Sequence, residues 1–172
     1  MAIIPDTKDW TWTAEQKCPE CGFDASTVAV DTVAARVRAN AASWPAVLRA
    51  EGVRIRPDDH TWSPLEYAAH VRDVHHVYAE RLQRFLNEND PVFPNWDQDA
   101  AAETQRYNEQ DPEQVEDELV RVAETAAAGF DGVLPDDWTR TASRSDGATF
   151  TLVSFARYYL HDLVHHLWDV RR

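Results

Sequence analysis

Residues Ser63-Pro64-Leu65-Glu66 join an N-cap serine, a proline at the first helical position and a glutamate at the third, which together start an α-helix. Asp111-Pro112-Glu113-Gln114 repeats the device, and Thr151 stands before another apolar stretch. A further segment carries Val30, Val33, Ala34, Val37, Ala41 and Trp44 at helical spacing, with Pro45 placed to kink or restart it. These signals predict helices over 26–50, 63–87, 111 to 129–132, and 152–170, the last with Arg171 and Arg172 at the negative end of its dipole. Roughly twenty residues, Asp90 to Gln110, link the second helix to the third, and 97–107 can form a short helix inside that link. Weak alternation over 138–150 suggests a short extended piece. The expected fold is all-α: a four-helix bundle with one long crossover, residues 25–172, preceded by an N-terminal arm, residues 1–24.

A chain of 172 residues is the size of one domain. Seventeen basic against thirty acidic side chains give a net charge of −13, which opposes approach to a phosphate backbone and argues against nucleic-acid binding. No apolar run approaches the ~20 residues that span a bilayer, so no membrane role is expected. The first ten residues lack the basic end and apolar stretch of a signal peptide, and two cysteines are too few for a disulfide scaffold; a cytoplasmic protein is expected. Lysine occurs only at Lys8 and Lys17, in keeping with the coding bias of a GC-rich genome. Large apolar helix faces leave a homodimer open.

Six of the seven histidines lie on the second and fourth predicted helices. His161 and His165 are four apart and share a helix face, so both rings can reach one divalent ion. His70, on the stripe with Val74 and Val77, is the expected third ligand; His75, His76 and His166 point elsewhere and read as outer-face histidines. Three neutral imidazoles leave an open position, as catalytic sites require, and their softness suits zinc, nickel or iron. Asp73 and Asp169, each within a turn of a ligand, are candidate partners for the outer ring nitrogens or else solvated surface acids. Tyr158, about 60° from His161 around the helix, can bring its hydroxyl to a bound small-molecule substrate. The metalloprotease motif H-E-x-x-H is absent, because residue 162 is aspartate where it needs its glutamate.

The blocks Trp62-Ser63-Pro64-Leu65-Glu66-Tyr67-Ala68-Ala69-His70 and His161-Asp162-Leu163-Val164-His165-His166, about ninety residues apart, resemble the DinB-like (DinB/YfiT) superfamily of metalloenzymes over roughly 26–172. The likeness is to an actinobacterial type of member. It implies a four-helix bundle with a metal at one end, and by position its ligands fall on His70, His161 and His165. Related families include thiol S-transferases, so the resemblance implies a transferase or detoxifying enzyme in which a divalent metal activates a low-molecular-weight thiol, mycothiol being the first to test. A metal-dependent hydrolase, or a bundle that binds metal or a small ligand without catalysis, are the alternatives.

Lys17-Cys18-Pro19-Glu20-Cys21-Gly22 departs from the pattern of that superfamily. C-P-x-C-G looks like a zinc knuckle, yet no second cysteine pair exists to complete a ribbon. Three readings stay open for Cys18 and Cys21: a second metal site with two histidines, His60, His75 or His76 among them; a redox dithiol near the histidine site; or a reduced structural turn. Trp10 and Trp12 are expected to dock the arm on the bundle.

Overall fold

The computed structural model describes residues 3–4 and 8–172. Its longest helix, α3 (Pro64–Asn87), begins at the predicted capping box. Ser63 Oγ accepts from the Glu66 backbone N–H at 3.3 Å, and Glu66 Oε2 accepts from the Ser63 N–H at 2.9 Å. Arg56 closes the box from outside, its Nε donating to Glu66 Oε2 at 2.9 Å. Burial works against charge on Glu66, but Arg56 and the Ser63 donors outweigh it and hold the carboxyl below its usual range. At the other end of α3 the free carbonyls of Phe85 and Glu88 accept from the Arg140 guanidinium. The helices α5 (Pro112–Asp131) and α6 (Leu152–Asp169) start at Asp111 and Thr151 as expected, and Ser154 reciprocates the Thr151 cap.

The first predicted helix is where the structure differs. Asp24 caps only a 3₁₀ turn, Ala25–Thr27, and a second such turn covers Val30–Thr32. The α-helix starts at Val33 as α1 (Val33–Ala41), stops at Ala42-Ser43, and restarts as α2 (Trp44–Leu48) with Pro45 in its first turn. Proline lacks the N–H that an uninterrupted helix would need there, so of the expected kink or restart the chain takes the restart, breaking just upstream.

The bundle forms by packing α3 on α5, and α1 on α5 and α6. Trp44, Leu65, Leu82, Phe85, Leu119, Leu152, Phe155, Tyr159 and Leu163 are all under 2% exposed and fill the core. At Gly129 a Cβ would meet Leu82 Cδ2 at 3.0 Å, so a larger residue there would require the buried Leu82 side chain to shift. Asn40 bridges across the core: its Nδ2 donates to the Leu163 carbonyl at 2.9 Å while its Oδ1 accepts from Trp44 Nε1 at 3.1 Å. That buried amide fixes the height and rotation of α6 against α1.

The crossover contains β1 (Val92–Phe93), α4 (Gln98–Thr104) and a 3₁₀ turn at Tyr107–Glu109. Helix α4 ends before the expected residue 107 because Arg106 takes a left-handed φ of +53°. In the expected extended region, β2 (Thr141–Arg144) pairs parallel with β1 and antiparallel with β3 (Thr149–Thr151), giving a small sheet in the order β1-β2-β3. Asp73 anchors the crossover to α3, accepting from Arg72 Nε and Gln105 Nε2 at 2.8 Å each and from the Tyr107 hydroxyl at 2.6 Å. It is therefore neither a surface acid nor a partner of the His70 ring. No helix among the described residues is long and apolar enough to cross a membrane.

His75, expected on an outer face, is fully buried in this core with Nδ1 against the Tyr159 hydroxyl. Burial depresses its pKa to about 3. The unfolded chain then binds a proton at His75 below pH 6.5 that the folded chain refuses, so stability falls as pH drops from 6.5. We expect metal-stripped protein, melted in denaturant at pH 6.5, 6.0 and 5.5, to lose about 1 kcal/mol of stability over that pH unit for each such histidine, the slope steepening as pH falls. His75→Gln should remove one histidine's share of that slope; an unchanged slope would contradict the buried neutral state.

Candidate metal centres

In the string His161-Asp162-Leu163-Val164-His165-His166, two i,i+4 pairs overlap: 161 with 165, and 162 with 166. They stand about 100° apart around the helix. Leu160, Leu163 and Leu167 take the core side of α6, and each pair therefore meets different neighbours.

His70, Asp162 and His166 form one cluster, with one ligand atom from each lying within 4.8 Å of the others. His70 is 1% exposed, its ring between Trp62 (centroids 5.1 Å apart) and the crossover residue Trp96 (5.4 Å, planes 7° apart). The His166 ring meets it edge-on at 4.7 Å. Neither ring nitrogen of His70 has a hydrogen-bond partner among the described residues. Burial, with the charge of His166 adding to it, holds the His70 pKa down to about 3, so both lone-pair capacity and neutrality are preserved at neutral pH.

His166 is in the opposite state. Its Nε2 is 3.1 Å from Asp162 Oδ1 and its Nδ1 is 3.1 Å from Asp169 Oδ2. Burial disfavours the imidazolium, but the two carboxylates outweigh it and raise the pKa to about 9. The same attraction, working against burial, lowers Asp162 to about 2.

The second cluster joins Cys18, Cys21, His161 and His165, again with donor atoms within 4.8 Å of one another. Cys18 Sγ lies 3.8 Å from His165 Nδ1, and the far nitrogen of His165 lies 3.8 Å from both Glu20 and Asp169 carboxylates. His161 Nε2 is buried without a partner. Burial lowers the pKa of both histidines, His161 to about 4, and raises the Cys21 thiol to about 11. Trp10 covers this cluster, its ring 5.7 Å from that of His161 and 4.9 Å from that of His165, with Trp12 stacked behind at 6.2 Å.

Among the described residues, the expected set His70, His161 and His165 is thus divided between two clusters. His70 faces Asp162 and His166, while His161 and His165 face the arm. The partners of the cysteine pair are not His60, His75 or His76. His166, expected on an outer face, lies between helices, and Asp169 approaches His166 more closely than it does His165. Asp162 and His166 were not paired with His70 from the sequence, although their i,i+4 spacing was there to be found. A cavity of about 430 Å³ touches both clusters, lined among others by Trp10, Tyr67, Tyr158, His161, Asp162, His166 and Arg172. Tyr158 is therefore at the cavity wall.

The opposed states of His70 and His166 are open to test by NMR titration of the metal-stripped protein. His166 should titrate near 9 while His70 stays neutral down to the acid limit of folding. Asp169→Asn should move the His166 value downward; an His166 titration near 6.5 in the unsubstituted protein would contradict the double carboxylate clasp.

Residues 34–170 match the model of the DinB superfamily. Among solved structures, YfiT from Bacillus subtilis, described as "a probable metal-dependent hydrolase with an unusual four-helix bundle topology", is similar with a TM-score of 0.69 and 19% sequence identity, over 83% of this chain and 84% of YfiT. At that identity the likeness establishes the four-helix bundle fold. No curated protein matches the chain. Cys18 and Cys21 precede the matched residues. The bundle of this chain belongs to the DinB superfamily.

Proposed function

We propose that this protein is a metal-dependent enzyme acting on a small molecule, with its divalent cation on His70, Asp162 and His166 and its substrate in the adjoining cavity. One observation carries the reading: His70 is buried with two unpartnered nitrogens, aimed at a carboxylate and a second imidazole. An unsatisfied buried polar group costs about 1–3 kcal/mol, and a ligand that uses it removes that cost. The donor set fits a cation on a second count. The proton between Asp162 Oδ1 and His166 Nε2 occupies the place where both donors converge, and a cation there would release it.

The chain's own residues divide the work. Trp62 and Trp96 hold the His70 ring in one orientation and keep water from it. Asp169 accepts from His166 Nδ1, which fixes the tautomer and leaves Nε2 for the site. Three protein donors leave coordination positions open toward the cavity. A cation bound there supplies Lewis acidity toward a nucleophile or a substrate oxygen. Tyr158 and Arg172 line the same cavity, where a hydroxyl and a cationic group can orient a polar substrate.

Hydrolysis is the reaction this arrangement supports best, since it asks for no binding feature beyond the open cation and the polar cavity. Thiol transfer, drawn from the resemblance, uses the same cation and needs in addition a cofactor thiol in the cavity.

The experiment strips the protein with chelator, reloads it with zinc, nickel or ferrous iron, and assays hydrolysis of activated esters and amides beside conjugation of an electrophile to mycothiol or glutathione. We expect metal-dependent turnover that His70→Leu abolishes. The same substitution should stabilise the metal-stripped protein by about 1–3 kcal/mol in denaturant melts, because it removes the two unsatisfied nitrogens. Turnover unaffected by His70→Leu would overturn the assignment, and absence of metal-dependent turnover on every substrate would favour a non-catalytic binding bundle.

A further inference from the structure

We propose that Cys18, Cys21, His161 and His165 bind a structural Zn²⁺ ion that fastens the N-terminal arm to the last helix, separately from the His70, Asp162 and His166 site. Four features converge on it. The donors come from two elements far apart in sequence, a tight turn in the arm and one face of α6, yet they approach within 4.8 Å of one another. A tetrahedral zinc with Zn–S at ~2.3 Å and Zn–N at ~2.0–2.1 Å places its donors roughly 3.3–3.8 Å apart, and Cys18 Sγ stands 3.8 Å from His165 Nδ1.

The turn itself has the form of a metal knuckle. The Cys18 N–H donates to the Phe23 carbonyl at 2.9 Å and the Gly22 N–H to the Cys18 carbonyl at 3.0 Å, so the chain doubles back and both thiols point the same way. Gly22 follows Cys21 with a φ of +74°, a left-handed conformation that a side chain would strain. The two cysteines are free thiols, and Cys18 is fully buried.

The histidines are prepared as well. His161 Nε2 is buried and unpartnered, and the outer nitrogen of His165 faces the Glu20 and Asp169 carboxylates at 3.8 Å, the outer support that zinc-bound imidazoles generally receive. Trp10 stacks on the His161 ring and meets the His165 ring at a tilt. Two thiolates and two imidazoles fill all four corners of a tetrahedron. The site is closed, softer than the carboxylate-containing one, and neutral overall once zinc is bound. Its work is mechanical: it pins to α6 the arm that carries Trp10 and Glu20, two walls of the cavity.

The test begins with metal content. His70→Ala protein should retain one zinc per chain, and Cys18→Ser with Cys21→Ser should lose it, so failure of the enzymatic reading and failure of this one are distinguishable. Cobalt(II) loaded into the full chain reports the geometry even if the serine variant does not fold. Four-coordinate cobalt with two thiolates should give strong visible bands and thiolate charge-transfer absorption in the near ultraviolet. In zinc-saturated protein both thiols should resist iodoacetamide, and trypsin should cut after Lys17 slowly; chelation should accelerate both reactions about tenfold or more. Cobalt spectra without thiolate absorption, or thiols equally reactive with and without zinc, would overturn the proposal.

Discussion

The rotational setting of α6 decides what this protein can bind. Leu160, Leu163 and Leu167 must face the core, and the Asn40 amide on the Leu163 carbonyl holds the helix to that setting. Burying three leucines contributes several kcal/mol, at about 1.5–3 kcal/mol each. No local preference of a histidine for one neighbour over another competes with that. With the leucines placed, the polar residues between them have no freedom: 162 and 166 turn toward α3, and 161 and 165 turn about 100° away, toward the arm.

Much of the fold could be read from the chain because its signals are local. Proline, serine and glutamate at 63–66 state where α3 starts, and the structure starts it there. The first helix was started too early because Asp24 makes a good cap, yet that cap opens only a 3₁₀ turn and the α-helix begins at Val33. The site was legible in composition and not in grouping. Histidines at 70, 161 and 165 were visible, but choosing between 161/165 and 162/166 requires the phase of α6 relative to α3, a tertiary fact. His75 misled for the same reason. Its angle around α3 was right, yet the neighbouring α6 supplies the Tyr159 hydroxyl that makes burial tolerable.

Buried polar groups in the core fall into two kinds, and the contrast separates architecture from chemistry. Asp73 accepts from three donors and holds the crossover, and Asn40 is satisfied on both amide atoms. These groups are stabilised where they are, and substitution there should act through folding. His70 has burial without partners, and it lies beneath Trp96, a residue that the Asp73 network helps to position by tying down the crossover. The satisfied groups thus supply the rigidity that keeps an unsatisfied one in place, which is how a fold can maintain a locally unfavourable site.

Two candidate metal sites side by side on one helix raise the problem of keeping their contents apart. His161 and His165 would otherwise offer donors to the same cation as Asp162 and His166, since successive positions on α6 are only a few ångströms apart. Recruiting two thiols from the arm resolves this by chemistry. Thiolates and imidazoles together favour zinc strongly, whereas two imidazoles and a carboxylate accept a wider range of divalent ions and keep positions open. Occupation of the softer set commits the 161/165 face and leaves the 162/166 face as the one able to change its ligands. The cysteine arm then has a consequence beyond its own site. By removing two histidines from contention, it leaves Asp162 and His166 as the pair on α6 free to hold a second cation beside the cavity.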